Sequence, residues 1–155
     1  MALVQDAQPF QFVEEPRLAI FTPADPPIQM RECLPARRKN LTQKVKIGPS
    51  KQSVYYTFGL YPDGRPSELF VDVAKAGAAL RQWAGSSAMM ISIALQHHTP
   101  LQTILSLFLG TVSDPSGDVI GHPFLKRCTS IMDLIAKDMA VSFLGVEDYR
   151  DVSMS

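Results

Sequence analysis

Seven cations, Arg31, Arg37, Arg38, Lys39, Lys44, Lys46 and Lys51, fall within a short stretch that only Glu32 opposes. Guanidinium forks grip phosphate in a bidentate way, and ammonium groups add point charge. Tyr55 or Tyr56, on the strand expected next, offers a flat ring on which a base can stack. Arg37, Arg38, Lys44 and Lys46 are therefore the expected phosphate donors, with Tyr56 as the stacking ring. The competing reading is a solvated basic edge that blocks strand pairing. A second anion-facing candidate is the loop Asp114-Pro115-Ser116-Gly117, continued by Gly121-His122. Ser116 and the amides after it can donate to an anion, and a helix expected from Pro123 would place its positive end nearby, next to His122. A plain helix-capping loop accounts for the same residues.

Other chemistries find fewer parts. His97 and His98 are adjacent, so on a helix they point about 100° apart and chelate one ion poorly. Cys33 and Cys128 lack a further Cys or His at ligand spacing. Cys128 falls on an apolar helical stripe, as a core thiol does. Cys33 has Arg31 and Arg37 nearby to lower its pKa but no base. A nucleophile elbow, a P-loop and a dinucleotide fingerprint are all missing. The expectation is a protein that is not an enzyme and holds no metal or cofactor.

Composition bounds the rest. The chain has 155 residues, 46% of them hydrophobic and 19% charged, with 15 Lys+Arg against 15 Asp+Glu. That is enough apolar material for one domain with a core. A net charge of zero argues against binding nucleic acid mainly by bulk phosphate neutralisation. The two cysteines fit reduced thiols in a cytoplasmic protein. No apolar run approaches the roughly 20 residues that a spanning helix needs, and the N-terminus lacks the pattern of a signal peptide.

Three regions are expected. Residues 1–30 are a Pro-rich arm whose apolar side chains, Phe10, Phe12, Val13, Leu18, Ile20 and Phe21, suit packing on the domain or on a neighbouring subunit. Residues 31–145 form the domain, and 146–155 a polar tail that frays. Within the domain, Gln43–Ile47 alternates as a strand, and 53–73 as a hairpin with Val54, Tyr56 and Phe58 on one face of its first strand. The turn between its strands carries Pro62, Asp63 and Gly64. Helices are expected at 78–97, at 100–109 with Thr99 as N-cap, and at 123–144 with Gly145 as its end. The first has Leu80, Trp83, Ala84, Ser87, Met90, Ile91, Ala94 and Leu95 at helical spacing. The fold class is α+β, a small antiparallel β-sheet packed against three helices.

Several of these runs have a known counterpart. Leu34-Pro-Ala-Arg-Arg-Lys-Asn-Leu-Thr-Gln-Lys-Val-Lys-Ile-Gly resembles a stretch in the C-terminal region of adenosylcobalamin-dependent (class II) ribonucleotide reductases. So does Tyr61-Pro-Asp-Gly-Arg-Pro-Ser-Glu-Leu-Phe-Val-Asp-Val-Ala-Lys-Ala-Gly-Ala-Ala-Leu-Arg. The likeness continues through Ile91-Ser-Ile-Ala-Leu-Gln, Pro100-Leu, Asp114-Pro-Ser-Gly, Gly121-His and Thr129-Ser-Ile-Met-Asp. In this order the runs resemble the module called the TSCPD domain, over residues 31–145. The reductase's catalytic barrel, active-site cysteines and cobalamin site belong to other parts of that family, so radical chemistry and dithiol exchange are not implied here.

Three functions follow as expectations. The first is a non-catalytic binding protein for a nucleotide-type ligand. By analogy of fold, it would be a phage- or prophage-type protein that sequesters cyclic nucleotide immune signals. The second is an accessory or detached module of a class II reductase, with a reductase chain as partner. The third is a structural protein that forms oligomers. Open sheet edges and an apolar arm make a homo-oligomer the expected assembly.

Overall fold

The computed structural model of the chain describes residues 30–151. All of the expected arm except Met30, and the tail beyond Asp151, lie outside the described residues. The fold is α+β, as expected. Five strands make one antiparallel sheet in the order β3-β2-β1-β4-β5. They are β1 (Asn40–Ile47), β2 (Gln52–Leu60), β3 (Pro66–Val73), β4 (Gly117–Ile120) and β5 (Arg127–Cys128). The helices are α1 (Ala78–Gln96), α2 (Leu101–Ser106) and α3 (Ile131–Leu144), followed by a 3₁₀ turn at Glu147–Tyr149.

Alternation decides which face of the sheet is buried. Val45 and Ile47 on β1, Val54, Tyr56 and Phe58 on β2, Leu69 and Val73 on β3 and Val119 on β4 all point inward. They meet Ala84, Ala88, Ile91 and Leu95 of α1, Ile104 and Leu105 of α2, and Leu134, Ile135 and Met139 of α3. The β2–β3 turn forms where Pro62, Asp63 and Gly64 predict it: the Gly64 N–H donates to the Tyr61 carbonyl at 2.9 Å, with Gly64 at φ +91°. The β1–β2 turn needs glycine at 48 for two reasons. Its φ is +70°, and a Cβ there would lie 2.6 Å from the carbonyl oxygen of Ser116.

α1 seals the outer edge of β3. The Ser92 hydroxyl accepts from the Leu69 N–H at 2.9 Å and lies 3.2 Å from the Leu69 carbonyl. One turn on, the Gln96 side-chain amide donates to the Ser67 carbonyl at 3.0 Å. The chain enters beside the same helix end, where the Glu32 N–H donates to the Gln96 carbonyl at 2.8 Å.

Several expected boundaries move. The third helix starts at Ile131 rather than Pro123, because Ser130 caps it. The Ser130 hydroxyl accepts from the Asp133 N–H at 2.9 Å, and the Asp133 carboxylate accepts in return from the Thr129 N–H at 3.1 Å. Residues ahead of it, expected in that helix, form β5, which closes a hairpin with β4, and β4 stands where a loop was expected. Pro100, not Thr99, holds the cap position of α2, with no side-chain cap bond. Gly145 ends α3 at φ +67°, as its place in the sequence predicts. Trp83 and Met90, expected on the buried stripe of α1, are 73% and 71% exposed. α1 is apolar on both sides, and β3 takes only the side carrying Ala84, Ala88, Ile91 and Leu95. Residues 146–151 are tied down rather than frayed: Asp151 donates its N–H to Phe124 and accepts from the Lys126 N–H at 2.6 Å.

A buried carboxylate joins the layers. Asp138 of α3 accepts from the Tyr56 hydroxyl at 2.7 Å and from the Ser142 hydroxyl at 2.8 Å. His122 Nε2 stands 3.2 Å from the same carboxylate, in a bent rather than aligned contact. His122 Nδ1 accepts the Leu125 N–H at 3.0 Å, so the ring proton sits on Nε2, facing Asp138. Burial alone would raise the Asp138 pKa. The contacts from His122, Tyr56 and Ser142 outweigh it and hold the carboxyl below its ordinary range. Asp133 is likewise held low, with Lys137, Gly110 and Thr129 outweighing its burial.

Both carboxyls have lower pKa values folded than unfolded, so the stability they contribute is complete above the unfolded value of about 3.9 and is lost as pH falls below it. Thermal melts from pH 7 down to pH 3 should therefore drop steeply in the acid limb. Asp138→Asn should lower stability at neutral pH by about 2 kcal/mol, and should flatten that limb.

Candidate functional site

The candidate residues are distributed over three places. Arg37 and Arg38 precede β1 and border a cleft of about 360 Å³ with Pro35, Lys39, Leu60, Tyr61 and Pro62. Arg37 and Lys39 are exposed there. Arg38 is already engaged: its guanidinium binds the Glu68 carboxylate through two nitrogens, and its Nη1 donates to the Pro35 carbonyl at 3.0 Å. Gly59 makes this pairing possible. It faces Glu68 across the β2–β3 ladder, and a Cβ there would sit 2.5 Å from Glu68 Cγ.

Lys44 and Lys46 occupy the second place, the outer face of β1, and both are exposed. The third place is interior. Tyr56 is 1% exposed and points to the opposite side of the sheet from these lysines. It is a core residue rather than a stacking platform, because it alternates with Val54 and Phe58. Burial first, and then the adjacent Asp138 carboxylate, push its phenol far up, so it remains a proton donor. His122 is buried against the same carboxylate, with its Nδ1 spent on backbone amides and its edge against the Phe124 ring. It is not presented to a ligand. Ser116 lies apart from all of these, over Gly48 at the start of the β1–β2 turn. The structure therefore pairs Arg37 with Arg38 and Lys44 with Lys46, and leaves Tyr56, His122 and Ser116 away from both pairs.

Tyr55 is the ring that shares a face with the lysines. It stands directly opposite Lys44 in the β1–β2 register, and the Lys44 ammonium lies 5.2 Å from its ring centroid. Phe70 of β3 lies on the same face and is 54% exposed. Parity along β2 is the signal that separates Tyr55 from Tyr56.

A cleft of about 470 Å³ lies between the β2–β3 turn and the ends of α1 and α3. Its charges compensate one another. Arg65 pairs with Asp63 at 2.7 Å and with Glu32 at 3.2 Å, and His98 stands 3.5 Å from Glu32. Cys128 is a buried core thiol. Burial, and then the Asp133 carboxylate, raise the Cys128 pKa to about 11.

The family model described as the TSCPD domain matches residues 25–142. The chain belongs to the TSCPD domain family. Among proteins of known name, this TSCPD chain is 41% identical over 125 residues to the vitamin B12-dependent ribonucleotide reductase of Agrobacterium fabrum, covering 81% of the chain and 10% of the reductase. The corresponding reductase of Bradyrhizobium diazoefficiens is 40% identical over 79% of the chain and 10% of its own length. That of Streptomyces coelicolor is 27% identical over 93% of the chain and 15% of its own length. The chain thus spans about a tenth of the first relatives it matches. No solved structure matches it. Among the described residues, no helix of the TSCPD domain is long and apolar enough to cross a membrane.

The Gly59–Glu68–Arg38 arrangement is open to a direct check. Gly59→Ala should displace Glu68 and cost about 1–3 kcal/mol, the scale of overpacking. Urea unfolding would measure it. Combining it with Glu68→Ala should cost less than the sum of the two single changes, because the shortened side chain removes the clash.

Proposed function

We propose that this TSCPD domain is a non-catalytic docking module for a vitamin B12-dependent ribonucleotide reductase chain. The observation that carries the reading is the outer face of α1. Trp83, Met89, Met90 and Ile93 all stand exposed on a helix whose only charged residue is Arg81. Contiguous exposed apolar surface of this kind marks interaction sites, and Trp and Met are enriched in interface cores. The similarity to one tenth of the reductases' length supports a reductase chain as the kind of partner.

The test mixes the purified chain with the Agrobacterium fabrum reductase from which its own matching tenth has been removed. Co-elution on size exclusion is expected. Trp83→Asp with Met90→Asp should weaken the complex by at least about tenfold, the scale of interface hot spots, without lowering the melting temperature. Failure to co-elute at micromolar concentrations counts against the reading. Self-association lost in the same variant would instead favour an oligomer-forming protein.

A second reading is a nucleotide-type ligand, with sequestration of cyclic nucleotide signals as its most specific form. It is favoured by the four exposed cations Arg37, Lys39, Lys44 and Lys46, on β1 and just before it. A thermal-shift panel of nucleoside di- and triphosphates, cyclic mono-, di- and trinucleotides and cyclic ADP-ribose isomers tests it. A ligand at 100 times its Kd adds about 2.7 kcal/mol, so a shift of several degrees is expected with at least one class. A flat panel discards the reading.

A further inference from the structure

We propose that the outer face of the β3–β2–β1 sheet binds a mononucleotide, its base stacked on Tyr55 beside Phe70 and its phosphate between Lys44 and Lys46. This rests on the nucleotide reading above and assigns its site. The helices cover the other face of the sheet, so on these strands the outward row alone is available. Three neighbouring positions lie straight across the strands: Lys44, Tyr55 and Asp72. The next row is Thr42, Thr57 and Phe70, and on the opposite side Lys46 faces Ser53.

Each element of a nucleotide has a counterpart there. Strands lie about 4.8 Å apart, so the Lys44–Tyr55–Asp72 row spans about 10 Å, comparable to the reach from phosphate to base. Tyr55 and Phe70 are diagonal neighbours on adjacent strands, within reach of one another's rings, and together widen the apolar platform. The Lys44 ammonium already reaches the Tyr55 ring, at 5.2 Å, so cation and ring lie within one small ligand. Lys44 and Lys46 are two residues apart on β1, on the same face, and neither closes an ion pair among the described residues. Phosphate supplies the missing counter-charge. An arriving base would take the ring face that Lys44 now covers, and the displaced ammonium would follow the phosphate.

The acids on this face fit the same ligand. Asp72, at the far end of the row, is exposed and can accept from ribose hydroxyls or an exocyclic amine. Glu68 is buried and neutralised by Arg38. The polarity of the row, cation to ring to carboxylate, favours a nucleotide over inorganic phosphate. It also disfavours a long nucleic acid strand, whose backbone would run into Asp72.

The experiment is an amide NMR titration of the intact chain with AMP, adenosine and inorganic phosphate in parallel. AMP should perturb Thr42–Lys46, Ser53–Thr57 and Phe70–Asp72. Adenosine should perturb the same strands at least about fivefold more weakly, and phosphate should not saturate. Tyr55→Ala should weaken AMP about tenfold or more, as loss of base stacking does, whereas Tyr55→Phe should retain affinity within about twofold. Lys44→Gln with Lys46→Gln should weaken AMP but leave adenosine unchanged. These are surface changes, and unaltered melting temperatures would show that the variants fold. Perturbation confined to the Arg37–Tyr61 cleft would overturn this site and leave the nucleotide reading standing. No perturbation by AMP, with a flat thermal-shift panel, would remove both.

Discussion

One buried carboxylate sets the relation between the layers. Asp138 holds the Tyr56 hydroxyl from the centre of the sheet, Ser142 from its own helix and His122 from the link between β4 and β5. An unpaired carboxylate in that position would be costly, and satisfying it requires three segments to arrive together. α3 therefore cannot slide along the sheet without stranding a charge. The β4–β5 hairpin is held from within by the same group, through a histidine whose other nitrogen accepts backbone amides.

Asp133 plays the corresponding part at the start of the helix. It is fully buried, accepts from the Thr129 and Gly110 N–H groups, and pairs with Lys137 at 2.8 Å. The run Thr129-Ser-Ile-Met-Asp, which resembles the reductase module, is thus a capping device that also anchors the end of the segment following α2. Arg38, Gly59 and Glu68 form a comparable unit at the start of β1. The polar outer face of the sheet and the apolar outer face of α1 take no part in these units.

The elements governed by short-range rules were legible in the sequence. The Pro62-Asp63-Gly64 turn, the alternation of β2 and the Gly145 helix end follow from local stereochemistry. The start of α3 was misread because Pro123 is a good first residue in isolation. The Ser130–Asp133 capping box, also visible in the sequence, is the stronger signal because two hydrogen bonds commit it. The burial of Tyr56 was missed for a similar reason: alternation with Val54 and Phe58 places it inside and Tyr55 outside. The engagement of Arg38 was not legible, since it depends on a cross-strand register that leaves Gly59 opposite Glu68. Nor was the exposure of Trp83 and Met90, because a helix apolar on two sides does not say which side its sheet will take.

The bonds from Ser92 and Gln96 to β3 have a consequence for how this molecule meets others. Along Ser67–Leu69, where these bonds are made, β3 cannot be extended by an incoming chain. At the far side of the sheet, β5 is two residues long, too short to template a neighbour. β4 meets β1 only at Lys46 and Ile47, so among the described residues the β4 side of β1 carries no strand from Asn40 to Lys44. A molecule that meets this domain at Ser67–Leu69 or at β5 therefore meets side chains, and there specificity is written in residue identity rather than in strand geometry.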